Sequence, residues 1–185
     1  IARELAAQLP LPAPKRILDV GGGIGTYAIA ICRRFPQAEA TILELPQVAA
    51  VGKSLMAGSE LSRRVQFLAG DYLLDPFTEN NDLILMCNIL HQEKPKDVRL
   101  LFRKTEESLT DDGWLAIHET LVGDGPNASL SVALASLNSL LYYGSSNHRE
   151  YQVLRWLRAS GFTVGEIDRS REPGVRVIFA QRASP

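Results

Sequence analysis

The 185-residue chain is poor in several things, and each scarcity narrows its function. It holds two cysteines, Cys32 and Cys87, one in a helical stretch and one in an apolar strand. Two such thiols make no disulfide framework and read as buried and free, which fits a reducing, cytoplasmic setting. Net charge is nearly absent. Twenty Lys and Arg face twenty-one Asp and Glu, leaving a formal −1, with no basic surface to draw nucleic acid. No apolar run approaches the roughly 18 residues that a membrane span needs, and no secretory leader is expected. The three histidines, His91, His118 and His148, and the two cysteines lack metal-ligand spacing. Zinc is therefore not expected, and no metal site is assigned. Internal repeats and low-complexity segments are missing too.

What remains is an ordinary globular composition, 45% hydrophobic and 22% charged, at a length suited to one domain with a full core. Apolar spacing predicts helices over 1–9, 25–35, 47–56, 96–109, 127–143 and 149–160. Strands are expected at 16–20, 38–44, 65–68, 82–87 and 113–121, the last opened by an Asp111-Asp112-Gly113 turn. Residues 162–168 and 175–180 read as a closing hairpin around Pro173-Gly174. Strands alternating with helices predict an α/β fold. It is a Rossmann-like, doubly wound sheet of seven strands, parallel but for one strand of the C-terminal hairpin. The chain starts at Ile1 inside an amphipathic segment, so it is expected to be the C-terminal part of something longer.

The organising stretch is Leu18-Asp19-Val20-Gly21-Gly22-Gly23-Ile24-Gly25, where an apolar strand runs into four glycines within five positions. Glycine allows a sharp turn and a close approach of ligand to backbone. The helix that follows begins with unpaired N–H groups and the positive end of its dipole. This is a nucleotide-type site at the end of a first strand. The dinucleotide fingerprint G-x-G-x-x-G fails at Thr26, and no Gly-Lys-Ser/Thr follows for a phosphate loop. Asp19, just before the turn, suits an amine or a hydroxyl better than a phosphate.

Open α/β sheets bind ligands beyond the carboxyl ends of their strands. The first strand ends at Asp19 and the glycines Gly21 and Gly23, the second at Glu44 and the third at Asp71. The fourth ends at Asn88 to His91 and the fifth at His118 and Glu119. Glu44, at the tip of the second strand, can accept both hydroxyls of a ribose. Asp71 can reach an exocyclic amine, with Tyr72 beside it to pack on an aromatic ring. His91 overhangs the cleft and can act as a general base near neutral pH. Glu119, on the neighbouring strand, can fix its tautomer and stabilise its protonated form. His118 alternates with Glu119, points to the opposite face and is given no catalytic role.

Asp-Val-Gly-Gly-Gly-Ile-Gly resembles the first motif of class I S-adenosylmethionine-dependent methyltransferases. With Leu43-Glu44-Leu45-Pro46, Gly70-Asp71-Tyr72, Ile89-Leu90-His91 and Ile117-His118-Glu119 in that order, the chain is similar to the small-molecule O-methyltransferase family. That family includes plant caffeic acid enzymes, acetylserotonin methyltransferases and bacterial polyketide-tailoring enzymes. The resemblance covers nearly the whole chain. It implies that Gly21, Glu44, Asp71 and Tyr72 hold S-adenosylmethionine, that His91 is the base and that Glu119 flanks it. Asp19, Gly23 and Asn88 complete the expected cofactor edge. The implied substrate is a small hydroxylated, aromatic molecule, and the implied assembly of the full-length protein is a homodimer.

Three features depart from the family pattern. His91-Gln92-Glu93 stands where the family has His-Asp-Trp. Residues 144–148, Gly-Ser-Ser-Asn-His, lack the second carboxylate of a Gly-Arg-Glu-Arg-Thr-like loop. The N-terminal dimerisation domain is absent from this chain, so 1–185 is read as the catalytic domain alone. Pocket residues are expected on 127–143, with Asn138, Leu141 and Tyr142 as candidates. Three alternatives stay open: a non-catalytic adenosyl-binding scaffold, an N- or C-methyltransferase, and a nicotinamide-dependent oxidoreductase that Thr26 disfavours.

Overall fold

The computed structural model describes residues 1–185 except 12, 124–128, 170–171 and 184–185. At its centre is β1 (Arg16–Val20), whose pattern leaves only Arg16 exposed. β1 pairs on one side with β2 (Glu39–Glu44), which pairs with β3 (Val65–Ala69). On its other side come β4 (Asn81–Cys87), β5 (Leu109–Thr120), β7 (Val175–Arg182) and β6 (Phe162–Asp168). The order β3-β2-β1-β4-β5-β7-β6 is parallel except at β7, which runs antiparallel to both neighbours. This is the seven-stranded, doubly wound sheet expected from the alternation. Because the chain builds outward from β1 in both directions, the carboxyl ends of β1 and β4 flank the crevice where such sheets take ligands.

Strand alternation sends successive residues to opposite faces. Ile17 packs toward α1 (Ala2–Gln8), α2 (Thr26–Arg34) and α3 (Pro46–Met56). Leu18 and Val20 pack toward α4 (Pro95–Ser108) and α6 (Glu150–Ala159). In α4 the buried residues Val98, Leu101, Phe102 and Thr105 recur at helical spacing, and Pro95 pre-sets the first turn. Each fully buried Leu or Phe on these faces contributes about 1.5–3 kcal/mol against exposure. Cys32 and Cys87 are buried and free, as read from the sequence.

The fifth strand corrects one expectation. The Asp111-Asp112-Gly113 stretch does not open the strand; β5 has already begun at Leu109. Asn81 pairs with Leu109 and Leu83 with Trp114, so residues 110–113 form an irregularity within β5. Buried Asn81 donates from Nδ2 to the Ser108 carbonyl at 3.1 Å, which ties the strand's first residues to β4. The turn-type residues supply a bulge rather than a boundary.

α5 (Leu130–Tyr143) starts later than the sequence suggests; positions 127 and 128 lie outside the described residues. It buries only Val132 and Ser139, and leaves Leu134, Leu137, Leu140 and Leu141 exposed. No helix among the described residues is long and apolar enough to cross a membrane.

Candidate active site

The glycine turn is shaped by close approach. Gly21 and Gly23 have φ of +61° and +59°, a region that L side chains rarely adopt. A Cβ at Gly21 would lie 2.8 Å from Ile89 Cγ2 and 3.2 Å from the Tyr72 ring. A Cβ at Gly22 would lie 2.5 Å from Asp19 Cγ. The turn is therefore held between the Asp19 carboxyl on one side and Tyr72 with Ile89 on the other, while Gly23 faces open space. α2 follows with no side-chain cap.

Asp19 is fully buried. Its Oδ2 accepts the Ala28 N–H at 3.4 Å, and among the described residues its Oδ1 has no hydrogen-bond partner. Burial pushes its pKa up to about 7; the Ala28 N–H pulls it down, and the charge of Glu44 adds to the rise. A buried carboxyl with an unused acceptor costs free energy until a donor meets it. Such a group, beside glycines that leave no side chain in the way, fits a ligand carrying an amine or ammonium.

Glu44 ends β2, and its Oε2 accepts the neighbouring Leu45 N–H. Asp71 follows β3 in an Asx turn: its Oδ1 accepts the Leu73 N–H at 2.8 Å, and its own N–H donates to Asp75 Oδ2 at 2.7 Å. Tyr72 lies over Gly21 and donates its hydroxyl to Glu93 Oε1 at 2.7 Å. Burial and the nearby Glu93 carboxylate hold that phenol well above its ordinary pKa. Glu93 thus tethers the ring over the glycine turn. Lys104 braces the same loop by donating to the carbonyls of Tyr72 and Asp75.

Across the crevice, β4 runs out through Asn88, whose φ is +58° and whose N–H donates to the His118 carbonyl at 2.8 Å. A 3₁₀ turn, Leu90–Gln92, carries His91. His91 Nδ1 lies 2.9 Å from Glu119 Oε1. Glu119 is 1% exposed and also accepts the Leu90 N–H at 2.8 Å and the Thr120 N–H at 2.9 Å. A carboxylate only accepts, so Nδ1 carries the hydrogen and the neutral ring keeps its lone pair on Nε2. Burial pulls the His91 pKa down, but the hydrogen bond and charge of Glu119 together outweigh it, and the net shift is upward. His118 sits on the other face, with Nδ1 3.2 Å from the Tyr27 hydroxyl, as alternation requires.

The sequence reading missed four residues here. Tyr143, rather than Asn138, Leu141 or Tyr142, brings its ring to His91, edge-on at 5.8 Å between centroids. Leu141 and Tyr142 are 74% and 76% exposed. Glu93 was noted only as a missing Trp. Ser145 and His148 lie in the loop whose missing acid the sequence shows; Ser145 Oγ donates to the Glu93 carbonyl at 2.7 Å, and buried His148 reaches the same turn. An apolar helix ending in Tyr-Tyr and a histidine in a glycine-serine loop were the available signals. Among the described residues, no group of three His, Cys, Asp or Glu is placed to hold a metal ion.

The family profile described as O-methyltransferase domain matches residues 1–163. A curated relative, the 3-hydroxy-5-methyl-1-naphthoate 3-O-methyltransferase of Streptomyces sahachiroi, is 31% identical over 179 residues, 97% of this chain and 52% of that protein. The solved mitomycin 7-O-methyltransferase MmcR superposes with a TM-score of 0.89 at 26% identity, over 98% of this chain and 53% of that one. The apo structure of the S-adenosylmethionine-dependent methyltransferase SibL gives a TM-score of 0.86 at 27% identity, over 98% and 54%. The chain thus spans about half the length of the curated relatives it matches.

Proposed function

The chain belongs to the O-methyltransferase domain family, and from that premise we propose that it carries the S-adenosylmethionine-binding catalytic part of a methyltransferase acting on a hydroxyl of a small aromatic molecule. When bound, S-adenosylmethionine supplies a methyl group on a positively charged sulfur. Residues at the carboxyl ends of β1, β2 and β3 would hold it. Asp19 and the Gly21–Gly23 turn take the amino-acid end, Glu44 the ribose hydroxyls, Asp71 the exocyclic amine and Tyr72 the ring. Asn88 closes the edge beside β4.

The observation that carries the catalytic reading is the His91–Glu119 pair at 2.9 Å. A phenol has a pKa near 10, so little phenolate exists at neutral pH and a positioned base is useful. His91 takes the hydroxyl proton on Nε2, and Glu119 stabilises the resulting imidazolium from the Nδ1 side. The rest of the chain's contribution is orientation of the acceptor oxygen. Tyr143 supplies an aromatic surface beside the base. The full-length protein is proposed to be a homodimer, with the second copy helping to complete the substrate pocket.

The test is twofold. Calorimetry is expected to show S-adenosylhomocysteine binding and no binding of NAD; the reverse preference overturns the cofactor reading. Methyl transfer from labelled S-adenosylmethionine is then measured with a panel of hydroxynaphthoates and simple phenols. Binding without transfer to any acceptor would leave an adenosyl-binding scaffold instead. Light scattering on the longer protein is expected to give a dimer.

A further inference from the structure

The loop 144–148 has no carboxylate, and a buried histidine does other work there. His148 is 6% exposed and meets the Trp156 ring edge-on at 5.1 Å. Its Nε2 lies 3.0 Å from the carbonyl oxygen of Leu90 and 3.0 Å from that of Glu93. Carbonyl oxygens only accept, so Nε2 carries the hydrogen and shares it between them. Those two carbonyls bracket His91, one residue before it and two after. Ser145 Oγ adds a second donor to the Glu93 carbonyl.

The loop is itself anchored to the exit of β5. Asn147 Nδ2 donates to the Thr120 carbonyl at 2.6 Å, and the Val122 N–H donates to the His148 carbonyl at 2.9 Å. β5 is the strand that carries Glu119, one residue before its end at Thr120. The loop therefore grips, at once, the turn that carries His91 and the strand that carries its carboxylate.

We propose that His148 is a positioning residue, which clamps the Leu90–Gln92 turn so that His91 stays in register with Glu119. The inference rests on the reading of His91 as the base. A neutral donor suits the place. Burial pushes the His148 pKa down, and a charged His91 pushes it further, against the pull of the two carbonyls and Glu119. A neutral ring does not repel the imidazolium that forms at His91. The titratable groups around His91 are Glu119 from β5, Tyr143 from α5 and His148 from this loop; Glu93 is turned to the Tyr72 hydroxyl.

The experiment is a nitrogen-15 titration of the three histidines by NMR, on wild type, His148→Phe and His148→Gln, with S-adenosylhomocysteine affinity as the check on folding. In wild type, His148 is expected as the Nε2–H tautomer, and His91 is expected to titrate above the ordinary value of about 6.5. His148→Phe removes the donor and keeps the ring, so the His91 midpoint should fall toward or below that value. His148→Gln, whose amide can reach the same carbonyls, should restore it. With an acceptor in hand, kcat should drop in His148→Phe while KM for S-adenosylmethionine holds.

An Nδ1–H tautomer at wild-type His148 would overturn the proposal, and needs no variant to fold. So would a folded His148→Phe protein with the His91 titration unmoved. Both readouts are independent of methyl transfer, so they fail separately from the base assignment, which His91→Ala tests.

Discussion

Two halves of the sheet's carboxyl edge position their side chains in different ways. Beyond β1, β2 and β3, each of the three carboxylates accepts a backbone N–H from close by in the chain, while the Tyr72 loop is tied to distant residues, Glu93 and Lys104. Asp19 takes the Ala28 N–H, Glu44 the Leu45 N–H and Asp71 the Leu73 N–H, at separations of nine, one and two residues. Beyond β4 and β5, the contacts cross the fold. His91 meets Glu119 at 28 residues' separation, and His148 meets the Leu90 carbonyl at 58. The first half is built by local chain geometry at strand ends. The second exists only when β4, β5 and the 144–148 loop are docked together. A cofactor site of the first kind should tolerate changes in the second half, and catalysis should not.

The largest effect that would break this comparison is on the cofactor side. Glu44→Ala removes the carboxylate proposed to accept charge-assisted hydrogen bonds from the ribose, at a cost of roughly 1.5–3 kcal/mol. S-adenosylhomocysteine should therefore bind about ten- to a hundredfold more weakly by calorimetry, with the His91 titration unchanged. A shifted His91 titration would mean that the two halves are coupled more tightly than their contacts indicate.

Next in size is Glu119→Gln, expected to lower turnover roughly tenfold, in line with the loss of a hydrogen bond to a charged group. The wild-type rate should rise with pH as His91 loses its proton, with a midpoint above the ordinary imidazole value. Without the Glu119 charge, burial alone remains, and the midpoint should move down. The same shift ties His91 to stability. Its folded pKa is raised, so its stabilising contribution is complete below about pH 6.5 and fades as pH rises through the folded value. Thermal unfolding across that range checks the sign.

The smallest expected effect is that of Tyr72→Phe. It removes the hydroxyl bonded to Glu93 and keeps the ring over Gly21. Binding of S-adenosylhomocysteine should weaken by a few-fold, consistent with a net hydrogen-bond worth of about 0.5–1.5 kcal/mol. The pH profile should stay where it is. A large loss would show that the Tyr72–Glu93 tether, and not the ring, holds the cofactor edge.

The same contrast decides what could be read from the chain before folding. The glycine turn, the strand ends and the opposite faces of His118 and Glu119 follow from short-range rules: strand alternation, turn chemistry and the continuous apolar run of β4. The doubly wound, mostly parallel sheet follows from the alternation of strands and helices. The Asp111-Asp112-Gly113 stretch misled because its turn chemistry is genuine, while the pairing of Leu109 with Asn81, which extends the strand past it, is set by a residue far back in the chain. In the sequence, His148 is a histidine without metal-ligand spacing in a loop that lacks an acid, and its positioning role is not legible. Its partners are two backbone carbonyls, which carry no sequence signal. Helical spacing alone does not say which side of an exposed α5 turns to the 3₁₀ turn, so it does not single out Tyr143 from its neighbours.

The central claim is that His91 takes the acceptor's proton. It is tested most directly by single-turnover methyl transfer with wild type and His91→Ala, at saturating S-adenosylmethionine and a hydroxylated aromatic that the wild type accepts. The expected result is a rate lower by on the order of a hundredfold or more, with S-adenosylhomocysteine affinity nearly unchanged. A His91→Ala protein that transfers methyl at close to the wild-type rate would contradict the account, leaving orientation alone as the source of catalysis.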